Sequence, residues 1–160
     1  MSEKQTSKHS TTVGGLILAE GDIEINAGRR SITLKVRNTG DRPIQVCSHF
    51  HFFEVNRFLE FDRSRTFGLR LDIPSTTGIR FEPGDEKEVK LIPMGGKQYC
   101  VGFNNLVDGW TGAGPSKDYR PNFQMALRRA SENGYKSTQD HGSKSTQGQE
   151  TAKMPLKRAS

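Results

Sequence analysis

His49, His51 and Glu54, three side chains in one short run, are the part of this sequence best equipped for chemistry. On a strand, residues i and i+2 project from the same face, so His49 and His51 would stand side by side as two imidazoles able to share a transition metal. Glu54 would fall on the opposite face. A closed site needs three or four ligands, and the only later histidine is His141, within a polar C-terminal stretch. The favoured reading of the pair is therefore structural, with both imidazoles hydrogen-bonded inside the fold or at a subunit contact. Other reactive combinations are weaker. There is no Gly-x-Ser-x-Gly elbow, and the only histidine after Cys100 is His141 in the polar C-terminal stretch, so that thiol has no ordered downstream base. Both cysteines read as reduced, small buried hydrophobes. Gly95-Gly96 and Gly112-Ala113-Gly114 lack the Lys-Ser/Thr of a phosphate loop. Arg29-Arg30 reads as a turn with a wet flank, and Asp85-Glu86-Lys87-Glu88 as the solvated end of a hairpin.

The elements that must position these residues are short strands. Ile23 and Ile25 alternate with polar neighbours, as do Ile32, Leu34 and Val36 after a turn at Ala27-Gly28. Period two with one wet face marks antiparallel strands. Asn38-Thr39-Gly40-Asp41 breaks the chain, and Ile44 to Val46 resumes the alternation. The run His49 to Val55 is aromatic at successive positions, which suits a strand buried on both sides or lying at a subunit contact. Arg57 to Arg65 reads as a helical turn or short helix, and Phe67 to Ile73 as a strand stopped by Pro74. Glu82-Pro83-Gly84-Asp85 is a turn in which proline presets one backbone angle and glycine supplies a positive φ. Val89 to Leu91 and Tyr99 to Phe103 complete seven to nine short strands. The fold class is all-β, a β-clip or jelly-roll-like barrel of short antiparallel strands.

Composition locates that barrel. The chain has 160 residues, and 38 of its 51 hydrophobic side chains lie in 13–110, so the folded core belongs there. Its 24 Lys and Arg against 18 Asp and Glu give a net charge of +6, of which +5 sits in 112–160. The basic balance therefore belongs to a tail rather than to a folded nucleic-acid surface. Neither nucleic acid nor membrane is expected as a partner. No apolar run approaches the length of a bilayer span, and the polar residues 1–13 form a flexible lead without a secretory h-region, which points to the cytoplasm. The extension 111–160 comprises a Gly/Pro linker, a short helix at about 121–133 and a disordered basic end from Lys136. Pro121 near the first turn and Gly134 past the last bracket that helix, with Phe123 and Leu127 on its apolar face. So small a face is marginal alone, and its expected dock is another subunit.

Several runs then resemble the urease beta subunit family. They are Leu18 to Asn26, Val36 to Val46, Ser48 to Asn56, Arg70 to Pro74, Arg80 to Asp85, and Gly102-Phe103-Asn104 with Leu106-Val107-Asp108-Gly109. The collinear series covers roughly 14–110. Cys47 and Asn105 depart from it at positions where glycine is usual, Gln98 to Val101 replaces a commoner basic stretch, and the tail lies beyond it.

The resemblance implies a non-catalytic structural subunit that assembles with alpha and gamma subunits as a trimer of heterotrimers. The complex would hydrolyse urea to ammonia and carbamate. Two nickel ions would lie in the alpha subunit, with no cofactor and no catalytic residue on this chain. Under it, His49, Phe50, His51, Phe52, Phe53, Glu54, Asn56, Phe123 and Leu127 become candidates for core or subunit interface. The alternative from a different class is a cupin-like metal-binding jelly roll using His49 and His51.

Overall fold

The computed structural model describes residues 13–17, 20–112 and 119–139. Eight strands and one α-helix follow in order: β1 (Ile32–Asn38), β2 (Ile44–Cys47), β3 (Leu59–Glu60), β4 (Leu69–Leu71), β5 (Gly78–Phe81), β6 (Glu86–Pro93), β7 (Tyr99–Cys100), β8 (Gly109–Trp110) and α1 (Phe123–Glu132). All pairings are antiparallel, and the largest sheet has the order β3-β1-β6-β4. β2 pairs with β5 and β7 with β8. The all-β expectation holds.

Alternation does the expected work in β1, where Leu34 and Val36 are buried and Thr33, Lys35 and Arg37 are exposed. Register with β6 sets Leu34 opposite Val89 and Ile32 opposite Leu91. Val46 of β2 and Phe81 of β5 close the same core from the second sheet, joined by Phe52, Leu59 and Phe61. Asn38, fully buried at the end of β1, closes the following turn. Its amide donates to the carbonyls of Arg42 (2.8 Å) and Phe81 (3.0 Å) and accepts from the Gly40 N–H (2.9 Å). At Glu82-Pro83-Gly84-Asp85 the Asp85 N–H reaches the Glu82 carbonyl at 3.0 Å and Gly84 takes φ +80°.

A second apolar cluster holds Phe53, Phe67, Leu106 and Val107, covered by Ala126 and Ala130 of α1. The helix therefore finds a dock on its own chain, where another subunit was expected to supply one. Its end is a Schellman motif, with the Tyr135 N–H on the Ala130 carbonyl (2.9 Å), the Gly134 N–H on the Ser131 carbonyl (3.1 Å) and Gly134 at φ +71°. The chain then runs back along the barrel, where Lys136 and Thr138 N–H groups bond to the Arg57 and Phe61 carbonyls. Residues 136–139, expected within a disordered end, are thus held in place; the rest of that end, and residues 1–12 of the lead, lie outside the described residues.

Other expectations are corrected. Residues 22–25 keep their alternation but form no strand, and Ile23 is 89% exposed; among the described residues no neighbouring strand offers them a ladder. Arg57 to Arg65 is not a helix; it contains β3 and the start of a 3-10 turn at Arg63–Thr66. Cys47 is exposed on β2, whereas Cys100 is buried as expected. The aromatic run is not a strand either. It is a turn leading into a single 3-10 turn at Phe52–Glu54.

Candidate functional site

That 3-10 turn decides where the candidate side chains go. With about three residues per turn, positions i and i+3 eclipse, so Glu54 is brought onto His51 instead of away from it. The His51 Nδ1 lies 2.6 Å from Glu54 Oε2, and both side chains are sealed from solvent. Successive aromatics separate as the turn winds: Phe52 enters the barrel core and Phe53 the cluster under α1. Phe50 packs edge-on to Phe103 with ring centroids 4.9 Å apart.

The network around His51 assigns its protons. Its Nε2 accepts the Gly68 N–H at 2.8 Å, so that nitrogen carries no proton, and Nδ1 is the one that donates to the carboxylate. Glu54 Oε1 accepts the Leu106 N–H at 2.8 Å, and the Glu54 carbonyl accepts from Asn104 Nδ2 at 2.6 Å. One imidazole and one carboxylate thereby tie the 3-10 turn, the residue preceding β4 and the 104–106 loop. Histidine beside a carboxylate is also half of a hydrolytic triad. Here Nε2 is already filled by a backbone N–H and no substrate can reach it, so the pair cannot act as a base.

His49 does not join it. It is exposed, with Nδ1 2.9 Å from Ser48 Oγ, while His51 faces the interior. The cupin-like alternative needs two imidazoles on one side with free lone pairs. The structure separates them and saturates His51, and no cluster of three or more His, Cys, Asp or Glu side chains among the described residues is arranged for a metal. Asn56 is exposed, its Oδ1 accepting the Phe58 N–H at 3.0 Å. Phe123 packs edge-on to Phe67 at 5.2 Å and Leu127 lies partly buried against the same cluster.

Sequence reasoning missed Arg63. It is 1% exposed, and its guanidinium donates to the carbonyls of Phe53 (2.8 Å), Val55 (3.1 Å), Asn56 (3.3 Å), Leu59 (2.7 Å) and Lys136 (3.0 Å). Its carbon also lies over the rings of Phe61 and Tyr135, at 4.4 and 5.1 Å. Burial pulls its pKa down to about 9, which leaves it cationic at neutral pH. Nothing in Arg57-Phe58-Leu59-Glu60-Phe61-Asp62-Arg63 distinguishes this arginine from Arg57, because its acceptors come from loops that only the fold assembles.

Comparison with known proteins places these features. The family model described as urease beta subunit matches residues 13–110. Urease subunit beta 2 of Brucella abortus is 63% identical over 139 residues, 87% of each chain. Urease subunit beta of Yersinia pestis is 60% identical over 139 residues, 86% of this chain and 96% of its own. That of Yersinia enterocolitica is 61% identical over 134 residues, 82% of this chain and 81% of its own. A matched stretch of 139 residues in a chain of 160 must end at residue 139 or later, so the Brucella similarity includes α1. Asn105, at one usual glycine position, adopts φ +57°, which asparagine tolerates better than most residues.

Proposed function

Because this chain belongs to the urease beta subunit family, we propose that it is the non-catalytic structural subunit of a urease, joined to alpha and gamma subunits in a trimer of heterotrimers. The observation that carries this reading is the state of His51: the one buried imidazole among the described residues has both nitrogens committed to Glu54 and Gly68. Two nickel ions do not fit such a donor set. They would lie in the alpha subunit, where urea would be hydrolysed to ammonia and carbamate, and this chain would supply support and assembly. Exposed apolar side chains ahead of β1, Leu16, Ile17 and Ile23, are what assembly would cover. The compartment would be the cytoplasm; no helix of the described residues is long and apolar enough to cross a membrane.

Recovery of the chain from its native cell by affinity capture tests this directly. A large nickel-containing partner and urea hydrolysis should appear together in the eluate, and their absence overturns the reading. His51→Ala sharpens the result. It should lower the yield of assembled complex while the turnover per bound nickel stays at the wild-type value; full assembly with normal nickel and lost turnover would assign His51 a direct part in catalysis.

A further inference from the structure

Three arginines remote in sequence meet at one small cavity. Arg30 stands just before β1, Arg65 on the 3-10 turn Arg63–Thr66, and Arg120 just before α1, and all three line a cavity of about 130 Å³. Phe67 and Leu69 contribute apolar wall, and Gln98 and Thr111 contribute neutral polar groups. Among the described residues, no aspartate or glutamate lines it. Among the described residues, the ion pairs involve none of the three guanidinium groups.

The chain around each of the three is anchored. Beside Arg30, Arg29 is pinned to β6 by a 2.6 Å hydrogen bond from its Nη2 to the Pro93 carbonyl. Arg65 shares its turn with the buried Arg63. The Arg120 carbonyl accepts the Phe123 N–H at 3.1 Å, and its guanidinium carbon lies 6.0 Å from the Phe123 ring centroid. Like charges gathered at a partly enclosed cavity raise the local positive potential, and an anion placed there relieves their repulsion. Guanidinium forks suit the planar or tetrahedral oxygens of carboxylate and phosphate groups, which accept two parallel hydrogen bonds from each.

We propose that Arg30, Arg65 and Arg120 form a binding site for a small oxyanion of the carboxylate or phosphate class. The site does not rest on whether the chain assembles into a urease. Two sources share that chemistry: a free inorganic anion, and a carboxylate presented by a partner subunit.

The test is thermal unfolding of the full chain in sodium phosphate against sodium chloride at matched ionic strength. Roughly 20 mM phosphate should raise the Tm by roughly 3 °C or more beyond the chloride control. Arg65→Gln and Arg120→Gln should each remove most of that rise, while Arg42→Gln, exposed and outside the cavity, should keep it. Isothermal titration of phosphate into Arg30→Gln, altered at the exposed rim, gives a second reading that does not depend on the Tm, and a weakening of at least about tenfold is expected. A response equal to chloride, or one untouched by the three substitutions, overturns the site. Phosphate binding that persists in the assembled complex assigns a free anion. Binding that is lost on assembly, with phosphate slowing assembly of the wild-type chain, assigns a partner's carboxylate. That last distinction alone rests on the proposed urease reading.

Discussion

Around Leu34, Val36, Val89 and Leu91, apolar side chains meet across paired strands, and the backbone groups behind them are satisfied by the ladder itself. Around Phe53, Phe67, Leu106 and Ala130, two loops, a 3-10 turn and a helix meet, and no ladder runs between them. Buried carbonyl and N–H groups must be paired somewhere. In the second region and along its border with the strand core side chains do it: Arg63 serves five carbonyls, Glu54 accepts from Leu106, and His51 accepts from Gly68. The two cores thus differ in what fails when one residue is changed. The strand core depends on volume, and the helix-covered core on donors and acceptors.

Substitution by methionine separates the two dependences most sharply. Leu91→Met conserves volume and adds no unpaired group, so its cost in urea unfolding should stay under about 1.5 kcal/mol. Arg63→Met also keeps length and apolar bulk, but it leaves carbonyls of Phe53, Val55 and Leu59 without their donor inside the protein. Its expected cost is about 3–5 kcal/mol, since each buried carbonyl left unsatisfied costs about 1–3 kcal/mol. Equal, small losses for the two variants would erase the distinction.

Glu54→Gln asks the same question with one atom. The carboxylate accepts from both His51 Nδ1 and the Leu106 N–H, one on each oxygen. An amide has only one acceptor oxygen, and His51 cannot shift its proton to Nε2 without facing the Gly68 N–H. One donor is left unpaired, at about 1–3 kcal/mol in urea unfolding. The His51 ring nitrogens report the change independently by NMR, since Nδ1 should remain the protonated nitrogen in the wild type. A neutral effect on stability would mean that the pair is dispensable to the second core.

The same contrast explains what could be read from the sequence. In the strand core the signal is local: alternation from Ile32 to Val36 and the Pro83-Gly84 turn each act within a few residues, and each was legible. The helix was legible for the same reason, with Gly134 at its end. Its dock was not, since Ala126 and Ala130 give no sign of which surface they bury against. At His49 to Val55 the aromatic run favours a strand by composition, yet the three-residue spacing of His51 and Glu54 held the better clue. A 3-10 turn turns that spacing into contact, and strand parity hides it. Arg63 was invisible because its partners come from residues 53–59 and from Lys136, a stretch that sequence reading assigned to a disordered end.

The segment ahead of β1 is the limiting case, having alternation without any core. Ile23 and Ile25 are exposed at 89% and 48%, so in this chain alone Ile23 buries little and Ile25 about half its surface. Replacing both with serine should change the unfolding free energy of the free chain by no more than about 1.5 kcal/mol, roughly half the value of one fully buried isoleucine. Apolar area covered only on assembly is worth roughly 25 cal/mol per Å² at that step, so the same double variant should lower recovery of the urease complex from cells. Measured together, the two numbers separate a residue's contribution to folding from its contribution to association. A large loss in the free chain would place Ile23 and Ile25 within the fold of this subunit, and intact recovery of the complex would remove them from its interface.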